Sequence, residues 1–243
     1  IFDGSVPFAT YSNRSTTGGL DLGSQITKYG ELRVGFVGGS RTFTLNSGPS
    51  SMVPADDNAD VGAVRARLRI DQLDSVKFPR SGYAATAEIF DSRTRFGALD
   101  NYTRWEADLL TAGSSGDNTV QFALKGGGTI GSAPLPIYDQ FSFGGFLRMS
   151  GYRTGQFYGE SLAFARLVYY RKLSKAVLTE GVYAGASFEA GRIGSPLVPG
   201  SPTDVQTSGS LILASDTPLG PMYLAYGVGE NGNRTVYFFL GRP

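Results

Sequence analysis

Glu106 and Asp108 have the spacing that a pair of catalytic carboxylates needs. Two residues apart on a β-strand, both side chains leave the same face, where one could serve as general acid and the other as base or nucleophile. Arg104 shares that face, so we favour a polar wall in which these charges pair with arginines across neighbouring strands. The chain of 243 residues has no His and no Cys, which excludes Ser–His and Cys–His catalysis. We therefore expect no catalytic residue and no enzyme activity in these residues.

Three acidic residues close together are the nearest approach to a metal site. Asp56, Asp57 and Asp60 carry oxygen atoms of the kind that divalent cations bind. Because the glycine turn and terminal glutamate of a calcium loop are missing, we interpret the segment as a solvated acidic loop. We expect no metal and no cofactor. The net charge of +1, with basic residues scattered among acidic ones, excludes a nucleic-acid interface.

Charged and apolar residues alternate along residues 60–71, with three arginines on one face of a strand and apolar side chains on the other. A period of two is expected where the faces of a sheet meet different surroundings, whereas a helix would scatter the arginines around its circumference. The pattern returns at 104–109 and 182–190. We predict that seven charged side chains face a water-filled lumen: Arg65, Arg67, Arg69, Arg104, Glu106, Asp108 and Glu189.

About twelve segments of strand composition have the roughly ten-residue length that a tilted membrane strand requires. The weakest of them lies near Val6 to Ser12. Short turns alternate with long polar connections at 46–59, 132–158 and 194–207, and 34 glycines suit such turns. The sequence therefore predicts an all-β fold, a single antiparallel up-and-down transmembrane β-barrel domain over residues 1–243. A soluble β-sandwich or carbohydrate-binding barrel is the alternative, because its strands alternate as well.

Aromatic residues lie mostly near the predicted strand ends or on strand faces. Trp and Tyr concentrate where a membrane barrel meets its two water interfaces. We interpret eight aromatic residues as an interfacial girdle of this kind: Tyr83, Tyr102, Trp105, Tyr169, Tyr170, Tyr223, Tyr226 and Tyr237.

Residues 141–159 read Phe-Ser-Phe-Gly-Gly-Phe-Leu-Arg-Met-Ser-Gly-Tyr-Arg-Thr-Gly-Gln-Phe-Tyr-Gly. This stretch resembles the inward-folding loop of the bacterial surface-antigen superfamily of outer-membrane assembly and translocation barrels. With residues 215–227 and 237–243, it looks most like the C-terminal barrel of patatin-like phospholipase autotransporters, the type Vd group. The resemblance implies that a loop of about 132–158 folds into the lumen. Its motif residues are Gly144, Gly145, Arg148, Ser150, Gly151, Tyr152, Arg153 and Gly155.

Two features depart from the family pattern. The usual loop carries Arg-Gly-Tyr, with the arginine reaching a carboxylate inside the barrel, but Ser150 stands in its place. Arg148 or Arg153 are the alternatives for supplying that charge. The second departure is size, since the usual member has sixteen strands. Either this chain is part of a 16-stranded barrel or its barrel is smaller.

The resemblance implies an outer-membrane anchor and translocator that exports or displays an N-terminal patatin-like passenger. The passenger is absent from these residues, and any phospholipase activity would lie in it. The implied partners are outer-membrane lipid and the passenger polypeptide, and a homodimer stays open because an unpaired strand edge is adhesive. Gly227 and Gly229 would loosen that edge, because glycine adds no side chain to pack. A general diffusion porin is the alternative function.

Overall fold

Strands joined by turns make up nearly all of the computed structural model, which describes residues 2–3, 6–7, 10–47, 57–176 and 179–241. None of the described residues forms an α-helix, and no helix in this part of the chain is long and apolar enough to cross a membrane. The strands, in chain order, are β1 (Phe2–Asp3), β2 (Val6–Pro7), β3 (Thr10–Thr27), β4 (Gly30–Ser47), β5 (Asp57–Asp71), β6 (Gly82–Ser92), β7 (Tyr102–Ser115), β8 (Asn118–Thr129), β9 (Phe141–Phe143), β10 (Phe157–Ala176), β11 (Thr179–Pro196), β12 (Gln206–Thr217), β13 (Gly220–Gly229) and β14 (Arg234–Leu240).

Twelve antiparallel strands form one sheet, in which, apart from β9, strands adjacent in sequence are also adjacent in space. The path runs from β3 to β8 and then from β10 to β14, while β9 pairs with β10 beside it. In the part of the chain that the structure describes, β3 and β14 are each paired on one side only. The up-and-down arrangement confirms the predicted fold class and the strand number of about twelve.

One predicted strand is wrong. The segment near Val6 to Ser12 is not a separate strand of the sheet, because Val6–Pro7 pairs with Phe2–Asp3 in a small sheet of its own and Thr10 already belongs to β3. The twelfth strand is instead β9, inside the predicted inward loop. A three-residue strand is too short to show a period of two, so no pattern in the sequence predicts it.

The two faces of the sheet differ in polarity, as the alternation predicts. Along β13, inward Tyr223 and Ala225 are buried, while Leu224 and Tyr226, which alternate with them, are exposed. Large apolar side chains are exposed in the same way on the other strands, which gives an apolar belt around the outside. Its members include Val34 and Phe36 on β4, Trp105 on β7, Phe122 on β8, Leu167 on β10, Phe188 on β11, Leu211 on β12 and Phe238 on β14.

Half of the predicted interfacial girdle points the other way. Tyr83, Trp105, Tyr169 and Tyr226 are exposed, as an outer girdle requires. The remaining four aromatic residues are buried on the inner side, so their assignment to the girdle is wrong. Period two assigns residues to two faces, and only contacts distant in sequence show which face is filled. These inward residues are Tyr102, Tyr170, Tyr223 and Tyr237.

The interior is filled by the connection between β8 and β10, residues 130–156, which we call the inward loop. Phe143 and Met149 of this loop are almost fully buried and pack in one apolar cluster with Phe164 of β10 and Ile193 of β11. These loop residues therefore contact side chains on the inner face of the sheet, and Phe157 already begins β10.

Candidate functional site

The first half of the inward loop is fixed to β4 and β7. Asp139 accepts hydrogen bonds from the guanidinium of Arg41 on β4 and from the hydroxyl of Tyr102 on β7. The guanidinium of Arg104 lies 4.2 Å from the ring centroid of Phe141, within cation–π range. Charged and aromatic contacts thus hold this half of the loop against one wall.

The tip of the loop has unusual backbone geometry. Gly144 and Gly145 have φ angles of 122° and 111°, which glycine adopts at no steric cost. Leu147 and Met149 also have positive φ, 57° and 79°, and such strain costs about 1–3 kcal/mol per residue. Contacts with the barrel wall must offset this cost, which marks the tip as a specifically held segment.

Glu189 on β11 provides the central contact. Its side chain is 0% exposed, and so is Ser150 at the tip of the loop. The Ser150 amide donates to Oε2 of Glu189 at 2.5 Å, and the Ser150 hydroxyl donates to Oε1 at 2.6 Å. Ser187 donates to Oε1 at 2.7 Å and Ser208 on β12 donates to Oε2 at 3.0 Å. Four donors satisfy this carboxylate, and two of them come from one loop residue.

The positive charge beside Glu189 comes from the barrel wall. Arg166 on β10 is the direct cross-strand partner of Glu189 in the antiparallel register, so both side chains leave the same face of the sheet. Arg166 also donates to the carbonyl of Leu147 at 2.8 Å. One arginine thus lies opposite the buried carboxylate and binds the backbone of the loop tip. We call Ser150, Arg166, Ser187, Glu189 and Ser208 the Glu189 cluster.

Neither loop arginine takes the place of the family arginine. Arg148 and Arg153 are exposed, whereas Glu189 is fully buried. Arg148 donates to the carbonyl of Ser142 within the loop, at 3.1 Å. Arg166 was not among the sequence candidates, because only the β10–β11 register brings it to the carboxylate.

The rest of the motif binds the last strands. The hydroxyl of Tyr237 on β14 donates to the carbonyl of Tyr152 at 2.6 Å, and a Cβ atom at Gly227 would overlap the carbonyl of Ser150. The ring of Tyr152 likewise lies against Gly229. The structure therefore gives these two glycines a different role from the predicted loosening of an edge: they let the loop approach the wall.

The predicted charged face is a network of ion pairs. Arg65 pairs with Asp21 at 3.0 Å, and Arg67 pairs with Glu88 at 2.6 Å. The more exposed Arg69 lies 3.5 Å from Asp71. The three arginines therefore pair with partners other than Glu106 and Asp108.

Glu106 and Asp108 are neutralised by two cations. Arg104 lies 2.6 Å from Glu106, and Lys125 on β8 binds both Glu106 and Asp108, the latter at 3.0 Å. The sequence indicated Arg104 but missed Lys125, which the β7–β8 register places opposite Asp108. In the described part of the chain, no group of three potential metal ligands occurs. Asp56 lies outside the described residues.

Comparisons with known proteins agree with this geometry. The profile of the Omp85 superfamily domain matches residues 3–242. The structure is similar to BamA from Haemophilus ducreyi lacking POTRA domains 1–3, with a TM-score of 0.76, 12% identity and 94% of this chain covered. CdiB from Acinetobacter baumannii gives a TM-score of 0.60, 14% identity and 91% coverage. This chain spans 53% of the BamA chain and 40% of the CdiB chain. A comparison with curated proteins finds no match.

Proposed function

Because the chain belongs to the Omp85 superfamily, we propose that it is an outer-membrane translocator barrel that exports or displays an attached polypeptide. The observation that carries this proposal is the inward loop, which is held inside a polar lumen by the Glu189 cluster. A loop fastened by hydrogen bonds, rather than continuous with the wall, obstructs the lumen and can be released. The apolar belt of outward side chains would contact outer-membrane lipid.

Channel recordings in planar bilayers test this proposal. We expect the intact protein to give small, flickering conductance, because the inward loop fills the lumen. Replacement of residues 144–155 by a short Gly/Ser linker should raise the conductance, and the linker leaves β10 intact because that strand begins at Phe157. A porin would behave differently: large, steady pores in the intact protein would contradict the proposal.

Substitution in the Glu189 cluster gives a finer version of the same test. Glu189→Ala removes the acceptor of four hydrogen bonds and leaves the buried donors of Ser150, Ser187 and Ser208 without it, at about 1–3 kcal/mol for each buried group left unsatisfied. We expect the barrel to insert but to open more often. Gly113→Ala is the matched control, because nothing lies within 4 Å of the Cβ atom that it adds on β7.

A patatin-like passenger on the N-terminal side is our proposal for the cargo. It is supported by the likeness of residues 141–159 and of the last strands to patatin-like autotransporter barrels, and it assigns any phospholipase activity to the passenger rather than to the barrel. In cells that produce the full protein, protease added outside should digest the passenger. Because Glu189→Ala should release the inward loop, it should raise the share of passenger that is digested, while the barrel stays in the outer membrane. A surface passenger unaffected by the variant would contradict a role for the loop.

A second copy of this chain is the other proposed partner, through the strand edges of β3 and β14 that have one neighbour each in the described structure. The mass of the protein in detergent, measured by light scattering, tests this. A monomer at all concentrations would contradict it, and a trimer would favour a porin.

A further inference from the structure

The connection between β5 and β6, residues 72–81, differs from the turns at the same end of the barrel. The turns 28–29, 116–117 and 218–219 are tight links between neighbouring strands. Residues 72–81, which we call the 72–81 turn, instead fold inward. Phe78 is 8% exposed and belongs to the same apolar cluster as Phe146 of the inward loop.

The 72–81 turn crosses the lumen. Lys77 Nζ lies 2.7 Å from Oδ1 of Asp216 on β12. β6 and β12 are five strand steps apart in the sheet, which corresponds to about 24 Å along the wall at about 4.8 Å per step. Lys77 reaches across this span because the sheet curls and the turn lies inside the curl. The turn therefore covers the end of the lumen opposite to the entry of the inward loop.

Three tyrosines surround the ring of Phe78. The ring stacks on Tyr183 with 4.3 Å between centroids, and it lies 5.5 Å from Tyr223 and 6.2 Å from Tyr170. We call Tyr170, Tyr183 and Tyr223 the tyrosine socket. Aromatic contacts at these distances favour an aromatic occupant over an aliphatic one of similar size.

Polar side chains of the wall bind the backbone of the turn. The carbonyl of Pro79 accepts hydrogen bonds from the hydroxyl of Tyr170 at 2.6 Å and from the amide of Gln121 at 3.1 Å. Ser114 donates to the carbonyl of Arg80 at 2.7 Å. These donors bind main-chain carbonyls, which every polypeptide has, so the wall offers hydrogen bonds to the backbone of a bound segment as well as contacts with its side chains.

We propose that the tyrosine socket and Asp216 form a binding site for a polypeptide segment with a basic residue next to an aromatic one, and that the 72–81 turn fills this site as a built-in plug. The tyrosine socket binds the aromatic ring, and the Asp216 carboxylate binds the basic side chain. A cavity of about 300 Å³ beside the turn, reaching Leu147 and Arg166, gives an entering chain room. The inference rests on the proposed function, because a transported polypeptide is the competing ligand.

A single cysteine reports release of the plug. The chain has no Cys, and Ala214 is buried in the same cluster as Phe78, so Ala214→Cys gives one protected thiol. In the purified barrel, Lys77→Ala with Phe78→Ala should speed labelling by a charged maleimide by about tenfold or more, the change that 1.4 kcal/mol produces. Val76→Ala is the matched control, because Val76 belongs to the same turn and is exposed. Labelling that is fast in the parent, or unchanged in the double variant, would refute the plug.

Rescue by an added peptide tests the binding site itself. The capped peptide Ser-Val-Lys-Phe-Pro-Arg, which copies residues 75–80, should slow labelling of the double variant to near the parent rate. The same peptide with Ala for Lys and Phe should not. Equal effects of the two peptides, or no protection by either, would overturn the proposal. Neither readout requires transport, so this failure is distinct from failure of the proposed function.

A charge reversal keeps the test informative if the double variant does not fold. Lys77→Glu places a carboxylate beside Asp216 and should also speed labelling, whereas Lys77→Glu with Asp216→Lys restores an ion pair and should return the rate toward that of the parent. A double reversal as fast as the single one would contradict the ion-pair contact.

Discussion

At the residue scale, the main result is that the arginine of the family loop has a counterpart on the barrel wall. Ser150 supplies two hydrogen bonds to Glu189, and Arg166 supplies the cation from the opposite strand. The buried carboxylate is therefore satisfied by four hydrogen-bond donors without an arginine on the loop. Hydrogen bonds to a charged group contribute about 1.5–3 kcal/mol each, so two of them from one residue are enough to hold a loop tip.

This arrangement predicts the outcome of an exchange between loop and wall. Ser150→Arg should destabilise the barrel by about 1–3 kcal/mol, because it overfills a fully buried site and places a second cation near Arg166. Ser150→Arg with Arg166→Ser should recover part of that loss. Urea unfolding in detergent of the parent, the two single variants and the double variant gives the coupling energy between positions 150 and 166. Additive effects of the two substitutions would show that positions 150 and 166 are not energetically coupled.

The 72–81 turn should loosen in acid. Burial acts to raise the pKa of Asp74, but the backbone amides of Arg80 and Ser81, which donate to its Oδ1 at 2.8 and 3.1 Å, together lower that pKa below its usual value. With a lowered pKa, the carboxylate stabilises the closed turn above the ordinary aspartate value of about 3.9, and this is lost as the pH falls through the folded-state pKa. Labelling of Ala214→Cys by a dithiopyridine should stay constant at neutral pH and rise in acid.

The control for the acid effect is Asp74→Asn, which keeps an acceptor oxygen but cannot titrate. In this variant the acid step should be smaller than in the parent. An acid step as large in Asp74→Asn as in the parent would show that Asp74 does not contribute.

At the element scale, the close approach of the inward loop to β13 determines which glycine substitutions should displace the loop. Gly227→Ala adds a Cβ atom where the carbonyl of Ser150 lies, so we expect the loop tip to be displaced at a cost of about 1–3 kcal/mol. Gly113→Ala, on a strand with open space, should be nearly neutral. Limited proteolysis in the inward loop measures the displacement. Equal protection of the two variants would contradict the packing of the loop on β13.

Most of the strands could be predicted because lipid and water impose a period of two on each of them. Their lengths could not: β10 spans Phe157–Ala176, 20 residues, which is longer than the roughly ten residues that a tilted membrane strand requires. The Glu189 cluster was half predicted. The loop motif indicated Ser150, and the period of two indicated that Glu189 faces inward. The positions of Arg166 and Ser208 beside Glu189 depend on the registers between strands.

The inward fold of the 72–81 turn could not be predicted from the sequence. Residues 72–81 have turn composition, and nothing local indicates an inward fold. The contact that defines it joins Lys77 to Asp216, 139 residues away. Contacts of that separation depend on how the sheet curls, which no local pattern contains.

At the scale of the whole molecule, the apolar belt predicts how the barrel tolerates charge. Leu224 on β13 is exposed. Its cross-strand neighbours, Leu213 on β12 and Phe238 on β14, are exposed as well. Leu224→Arg should reduce the free energy of folding into lipid vesicles by about 2–4 kcal/mol, the cost of an arginine near the bilayer midplane. Leu224→Ala, which adds no charge, is the control. Equal stability of the two variants would contradict a lipid-facing position.

One side chain belongs to both closures of the lumen. The ring of Tyr223 lies 5.5 Å from Phe78 of the 72–81 turn and 5.6 Å from Phe146 of the inward loop. Because both rings contact Tyr223, displacement of one of them changes the surroundings of the other. The coupling free energy between the two displacements is the same in both directions. We therefore expect the two closures to be coupled, so that displacement of either ring changes the free energy needed to displace the other.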